Sequence, residues 1–253
     1  MAIPFNLQRL IDTELQFAKR FTNCTPKDYG LIYWNEGNKD SWDSNHAVIS
    51  DFIGVGSSIK EIISFYKAKG INPRLYPAFK ENELDVLTPL LEANEFVIQP
   101  QVNQFFLHEK ESAIKPLHGI RFERLRTITP ELREFVLSYQ YGEGAIKVLE
   151  RHLSHPNYHL LAGFANDAMV TLASVNIFVG YSRIDDVYTH EFYRGKGYSS
   201  ALISYVLQYH KEHSDNYLYL YSSIPEAIKV YGKAGFVPIA QNLKSWTAFK
   251  VMH

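Results

Sequence analysis

The chain has 253 residues, with 26 Lys and Arg against 27 Asp and Glu and a formal net charge of -1. That length suits one large or two modest domains. Its 46% hydrophobic and 21% charged residues are proportions of a soluble globular protein, and the balanced charge argues against a broad nucleic-acid-binding surface. The lone Cys24 rules out an internal disulfide and a multi-cysteine metal site, and fits a reducing, cytoplasmic setting.

Leu7, Leu10, Ile11, Leu15 and Phe17 recur at helical spacing among Arg9, Asp12, Glu14 and Lys19. They predict an amphipathic helix and not a signal peptide. No stretch reaches the roughly 20 apolar residues that a membrane span needs. Gly30–Trp34 reads as a strand. Ile59, Ile62, Ile63 and Tyr66 form a helical stripe over 58–69, and Gly70 stops it. A short strand follows at 74–78, then a helix at 84–93 and a strand at 96–107. The segment 109–117, with its lysines, glutamates and Pro116, reads as a linker between a domain at 1–115 and one at 116–253. Beyond it come a strand at 120–125 and helices at 130–139 and 145–152. A hairpin spans 158–164 and 169–179, with Asn166-Asp167 at its turn. A strand at 184–189, a helix at 199–213, a strand at 217–221, a helix at 225–234 and a final extended stretch complete the order. The expected fold class is α/β (α+β), a mixed central sheet flanked by helices.

A faint repeat links the halves. Gly54-Val55-Gly56-Ser57-Ser58 and Gly195-Lys196-Gly197-Tyr198-Ser199 each precede a helix, a strand, a helix and then a phenylalanine, Phe96 or Phe236. On that alignment Ile53 takes the place of Arg194, Leu91 that of Tyr231 and Glu95 that of Gly235.

The most informative stretch runs from Val187, Tyr188, Thr189 and His190 through Tyr193, Arg194, Gly195, Lys196, Gly197 and Tyr198 to Ser199 and Ser200. A strand enters a glycine turn that opens a helix. Helix-start N–H groups lack intrahelical acceptors, the dipole adds positive potential, and glycines let the main chain approach an anion. A dinucleotide-binding reading fits less well, because no third glycine follows Gly197 at the required place.

This stretch resembles the acyl-CoA-binding motif of the GNAT superfamily of N-acetyltransferases, Arg/Gln-x-x-Gly-x-Gly/Ala. Arg194, Gly195 and Gly197 match its usual Tyr-Arg-Gly-Lys-Gly form, and Ser199 departs at the last position. The resemblance covers about half the chain. It implies acetyl-CoA as acyl donor, with no metal. The amides of Gly195, Lys196, Gly197, Tyr198, Ser199 and Ser200 would hold its pyrophosphate, and the backbone of Val187 and Thr189 would pair with the pantetheine arm. The first half would then be a degenerate GNAT-like domain walling the substrate cleft, giving two tandem GNAT-like domains.

Downstream, Ala227, Tyr231, Lys233, Gly235 and Phe236 resemble the second GNAT motif, Asn-x-x-Ala-x-x-x-Tyr-x-Lys-x-Gly-Phe. Taken alone, Tyr231 reads as a buried core aromatic on a helical stripe. The resemblance makes it the general acid for the leaving thiolate. Ile224 stands where the family has Asn, so Ser222 or Ser223 would supply that CoA contact. Asp185 and Asp186 are the candidate bases. Alternation along a strand allows at most one of them to face the site, and Glu143 is a further candidate.

His152, His155 and His159 look like a metal cluster, but Pro156 separates them from one common face. Tyr158, Tyr217, Tyr219 and Tyr221 read as strand aromatics of a core. The implied acceptor is a primary amine of a small molecule or a protein. No nucleic acid and no membrane are expected as partners, and a homodimer is allowed for. Two alternatives stay open: a catalytically silent acyl-CoA-binding regulatory module, and an aminoacyl-tRNA-dependent transferase.

Overall fold

The computed structural model describes residues 5–101, 104–138, 142–239, 243 and 245–252. The chain divides into two compact units. One comprises 7–103 and 243–253, the other 1–6 and 104–242. This differs from the expected division at 115/116. The difference lies in two strands that leave the half of the chain in which they are encoded.

In the unit of 7–103 and 243–253, helix α1 (Leu7–Gln16) precedes strands β1 (Asn23–Lys27), β2 (Gly30–Trp34) and β3 (Ala47–Ile49). Helix α2 (Val55–Lys69), strand β4 (Arg74–Tyr76), helix α3 (Glu83–Ala93) and strand β5 (Val97–Gln101) follow. The sheet order is β1-β2-β3-β4-β13-β5, where β13 is Ser245–Phe249 from the far end of the chain. Ile59, Ile62 and Tyr66, the stripe read from the sequence, are buried with Leu75, Leu87, Leu91 and Trp246. Gly70 ends α2 in the left-handed conformation (φ 63°), a geometry that glycine adopts at little steric cost.

The other unit begins with β6 (Gln104–His108) and β7 (Arg121–Leu125), then helices α4 (Pro130–Leu137) and α5 (Gly142–Leu153). Strands β8 (Tyr158–Ala165), β9 (Ala168–Ile177) and β10 (Tyr181–Thr189) form a meander. Asn166 and Asp167 turn the hairpin with positive φ at both positions, as a tight hairpin of matching twist requires. Helix α6 (Tyr198–His213), strand β11 (Tyr217–Ser222), helix α7 (Pro225–Lys233) and strand β12 (Phe236–Pro238) complete it. The sheet order is β12-β6-β11-β10-β9-β8-β7. Leu161, Ala173, Val175 and Ile184 pack with Leu202 and Val206 of α6, while Leu160, Ala162 and Leu172 pack with α4 and α5. Covered on both faces, β8 is buried along its whole length.

The two sheets share one topology. Antiparallel strands, β1-β2 in one sheet and β7-β8-β9 in the other, lead to a parallel pair, β3 with β4 or β10 with β11, and then an inserted antiparallel strand and a last strand. The inserted strand is β13 in one and β6 in the other, so each half places its final strand in the other half's sheet. The expected single strand at 96–107 is therefore two strands in different sheets, and 109–117 is a connection inside one unit.

The repeat holds at the level of backbone geometry, with one change of register. Gly54 (φ 65°) caps the start of α2 as Gly197 (φ 86°) caps that of α6. The helix starts thus align Gly54 with Gly197, and Asp51, not Ile53, falls at the place of Arg194.

Candidate active site

β10 and β11 pair only through Tyr181–Tyr217, Ser182–Leu218 and Arg183–Tyr219. Beyond Arg183 the strands continue unpaired with one another and open a wedge. The cause lies in β10, whose register against β9 shifts between Asp185 and Tyr188. Asp186 occupies the left-handed conformation there (φ 54°), a bulge that turns the strand edge away from its neighbour.

The bulge also decides where the two carboxylates point. Asp185 lies opposite Ser174 in the register, and Ser174 Oγ donates to Asp186 Oδ2 at 3.1 Å. Side chains directly opposite in a sheet share a face, so both carboxylates are on the Ser174 face. The expectation that alternation would admit only one is corrected. The Tyr158 hydroxyl donates to the same Oδ2 at 3.3 Å. Asp185 is tied to Arg183 at 2.9 Å, and Arg183 donates to the Tyr221 hydroxyl at 2.9 Å. Asp186 is exposed to solvent, while neighbouring protein atoms crowd its carboxylate. Desolvation and repulsion from Asp185 push its pKa up to about 7, against the opposing pull of Ser174, Arg183 and Tyr158.

Tyr231, on α7, is 5% exposed and packs its ring against Phe236. Its hydroxyl makes no hydrogen bond among the described residues. Burial and the nearby Asp185 charge raise its pKa to about 12, so it keeps its proton at neutral pH. Ser222 Oγ accepts the Ile224 N–H at 3.1 Å and is buried, whereas Ser223 is exposed at the start of α7.

At the outer end of β10, Val187 packs toward the α6 side and Tyr188 toward the α4–α5 side. Thr189 Oγ1 lies 2.9 Å from Thr171 Oγ1, and its carbonyl accepts from Arg194 Nε at 3.1 Å. This last bond folds the turn back onto the strand. Gly195 (φ 76°) and Gly197 have positive φ. A Cβ built on Gly195 meets nothing within 4 Å, and one on Gly197 meets only Leu117, at 3.8 Å. No side chain caps the start of α6 at Gly197, whose 16 residues direct their dipole at this open, exposed turn. A cradle of open main chain and uncapped N–H groups suits a pyrophosphate.

Glu143 lies in the exposed first turn of α5, paired with Arg133. The three histidines hold separate posts. His152 stacks on Tyr158 at 4.6 Å, His155 Nδ1 accepts from the Asn157 N–H, and His159 Nδ1 lies 2.7 Å from the Tyr209 hydroxyl. No group of metal-ligating side chains occurs among the described residues. No described helix is long and apolar enough to cross a membrane. Ser174 carried no signal in the sequence; Tyr158, read as a core aromatic, is buried with Leu160 and Ala162, and its hydroxyl in addition holds Asp186.

Residues 124–236 match the family model described as Acetyltransferase (GNAT) family. No match was found among curated proteins. Among solved structures, the chain is similar to a GCN5-related N-acetyltransferase from Kribbella flavida, with a TM-score of 0.71 and 15% identity over 97% of this chain and 95% of that one. A GCN5-related N-acetyltransferase-like protein from Streptococcus suis gives 0.56 and 11% over 97% and 99%. A tandem GNAT protein from the clavulanic acid biosynthesis pathway gives 0.55 and 12% over 81% and 75%. At such identities the shared property is the fold, that of two GNAT-like domains in tandem. With the match over 124–236, that part of the chain is a domain of the GNAT acetyltransferase family.

Proposed function

We propose that the protein transfers an acetyl group from acetyl-CoA to a primary amine by direct attack in a ternary complex. The observation that carries this reading is the wedge beyond Arg183 and Tyr219, flanked by the open glycine turn at one end and by Tyr231 and two carboxylates at the other. The turn from Arg194 to Ser200 would hold the pyrophosphate. The unpaired edge of β10 at Val187 and Thr189 would receive the pantetheine arm as an added strand, with Ser223 near the start of α7.

Aminolysis of a thioester needs a neutral amine, a stabilised oxyanion and a proton for the thiolate. The amine nitrogen bonds the carbonyl carbon and the C–S bond breaks. Two protons leave the nitrogen of the arriving ammonium, and the thiolate takes one from Tyr231. After Tyr231 is restored, the net result is one proton on sulfur and one in solvent. The Asp185–Asp186 pair supplies the base. Asp51 at the position of Arg194 suits a first unit that does not bind the donor, since a carboxylate repels a pyrophosphate. A thiol-release screen with acetyl-CoA against a panel of primary amines tests the reading. Turnover with a subset of amines supports it, and acetyl-CoA binding with no thiol release from any amine favours a silent acyl-CoA-binding module.

A further inference from the structure

Two carboxylates on one face raise the question of how they divide the work. Asp185 is engaged by Arg183 at 2.9 Å, which commits its Oδ2 to an ion pair on the strand itself. Asp186 is held differently. Both of its hydrogen bonds, from Tyr158 on β8 and Ser174 on β9, fall on the same oxygen, Oδ2. The other oxygen, Oδ1, takes no hydrogen bond from the described residues. Two donors from different strands fix the carboxylate plane and leave one oxygen for the substrate side.

We infer that Tyr158 and Ser174 are positioning residues that anchor Oδ2 of Asp186 and assign the proton-accepting role to its Oδ1, with Asp185 retained as a fixed charge. The inference rests on the acyltransferase reading. In the step it describes, an N–H bond of the substrate ammonium breaks, an O–H bond forms at Oδ1, the electron pair stays on nitrogen, and the proton is later released to solvent. The charged and titratable groups facing Asp186 are Asp185 and Arg183 on β10 and Tyr158 on β8. Around them lie His152 of α5, stacked on Tyr158, Tyr221 of β11 and Tyr231 of α7.

The test is a pH titration of the full-length protein labelled with 13C at the aspartate carboxyl carbon, followed by NMR. Asp186→Asn identifies the resonance by removing it. In Tyr158→Phe with Ser174→Ala, loss of two hydrogen bonds to the ionised form should move its midpoint upward by roughly one pH unit. Ser174→Thr keeps a hydroxyl and should restore part of the shift. Asp185→Asn should move the midpoint the other way. A merely structural role would lower the melting temperature and leave the midpoint in place; an unmoved midpoint in the double variant overturns the inference. Acetyl-CoA calorimetry on the same samples keeps the two readings apart. Failure of the wild type to bind removes the acyltransferase reading, whereas normal binding with an unmoved midpoint removes only the positioning role.

Discussion

Arg183 and Tyr219 are the last register partners that β10 and β11 share. Everything assigned to catalysis lies around the opening that begins there. The register of β10 shifts at Asp186, so one backbone feature both accompanies the opening of the wedge and sets Asp186 on the same face as Asp185.

Tyr231→Phe should lower kcat by about 10²–10⁴-fold, the usual worth of a positioned acid, with little change in acetyl-CoA affinity. The ring stays buried against Phe236, so the fold should be retained. Steady-state thiol release and calorimetry on one preparation check both halves of this statement. Full activity in the variant would exclude Tyr231 as the proton donor.

Cutting the chain between 115 and 116 should yield two fragments that do not fold alone. Residues 1–115 lack β13, and with it the fully buried Trp246, whose Nε1 donates to Glu83 at 2.7 Å. The other fragment lacks β6, which lies between β11 and β12. Removing an inner strand strips two ladders of hydrogen bonds and a part of the core. Circular dichroism during heating is the measurement. A cooperative melt of residues 1–115 by themselves would show that the exchanged strand is dispensable.

The contribution of His210 to stability should be lost as pH drops from about 6.5 toward 4. His210 is buried, its Nε2 has no hydrogen-bond partner among the described residues, and burial together with His108 lowers its pKa from 6.5 to about 4. Burial lowers that of His108 as well. A depressed histidine is neutral in the fold and charges more readily when unfolded. Its contribution is therefore complete above 6.5 and lost as pH falls toward the folded value. For His210 this amounts to an order of 3 kcal/mol. His210→Gln should flatten the melting temperature against pH over that interval. An unchanged slope would place the acid sensitivity elsewhere.

Much of this was legible in the sequence. The stripes in α2 and α7, the stop at Gly70 and the Asn166-Asp167 turn are local signals, and the structure follows them. β1 and β3 were not predicted. β1 carries Asn23, Pro26 and Lys27, and β3 has three residues. The exchange of β6 and β13 has no local signature, because strand identity depends on which edge is free. The bulge escaped because alternation is an average rule, and Asp185-Asp186 is where it breaks. The glycine turn and Tyr231 stand out in the sequence because their spacing resembles a family pattern. Ser174 could not be found that way, since it acts through a cross-strand contact that exists only in the folded sheet.

The central claim is that the turn after Arg194 grips acetyl-CoA, and isothermal titration calorimetry of the full-length protein tests it most directly. The prediction is saturable binding in the wild type and a loss of at least about tenfold in affinity for Gly197→Val, a side chain forced into a positive-φ position in the cradle. Absence of binding by the wild type at millimolar acetyl-CoA, or equal affinity in the variant, would contradict it.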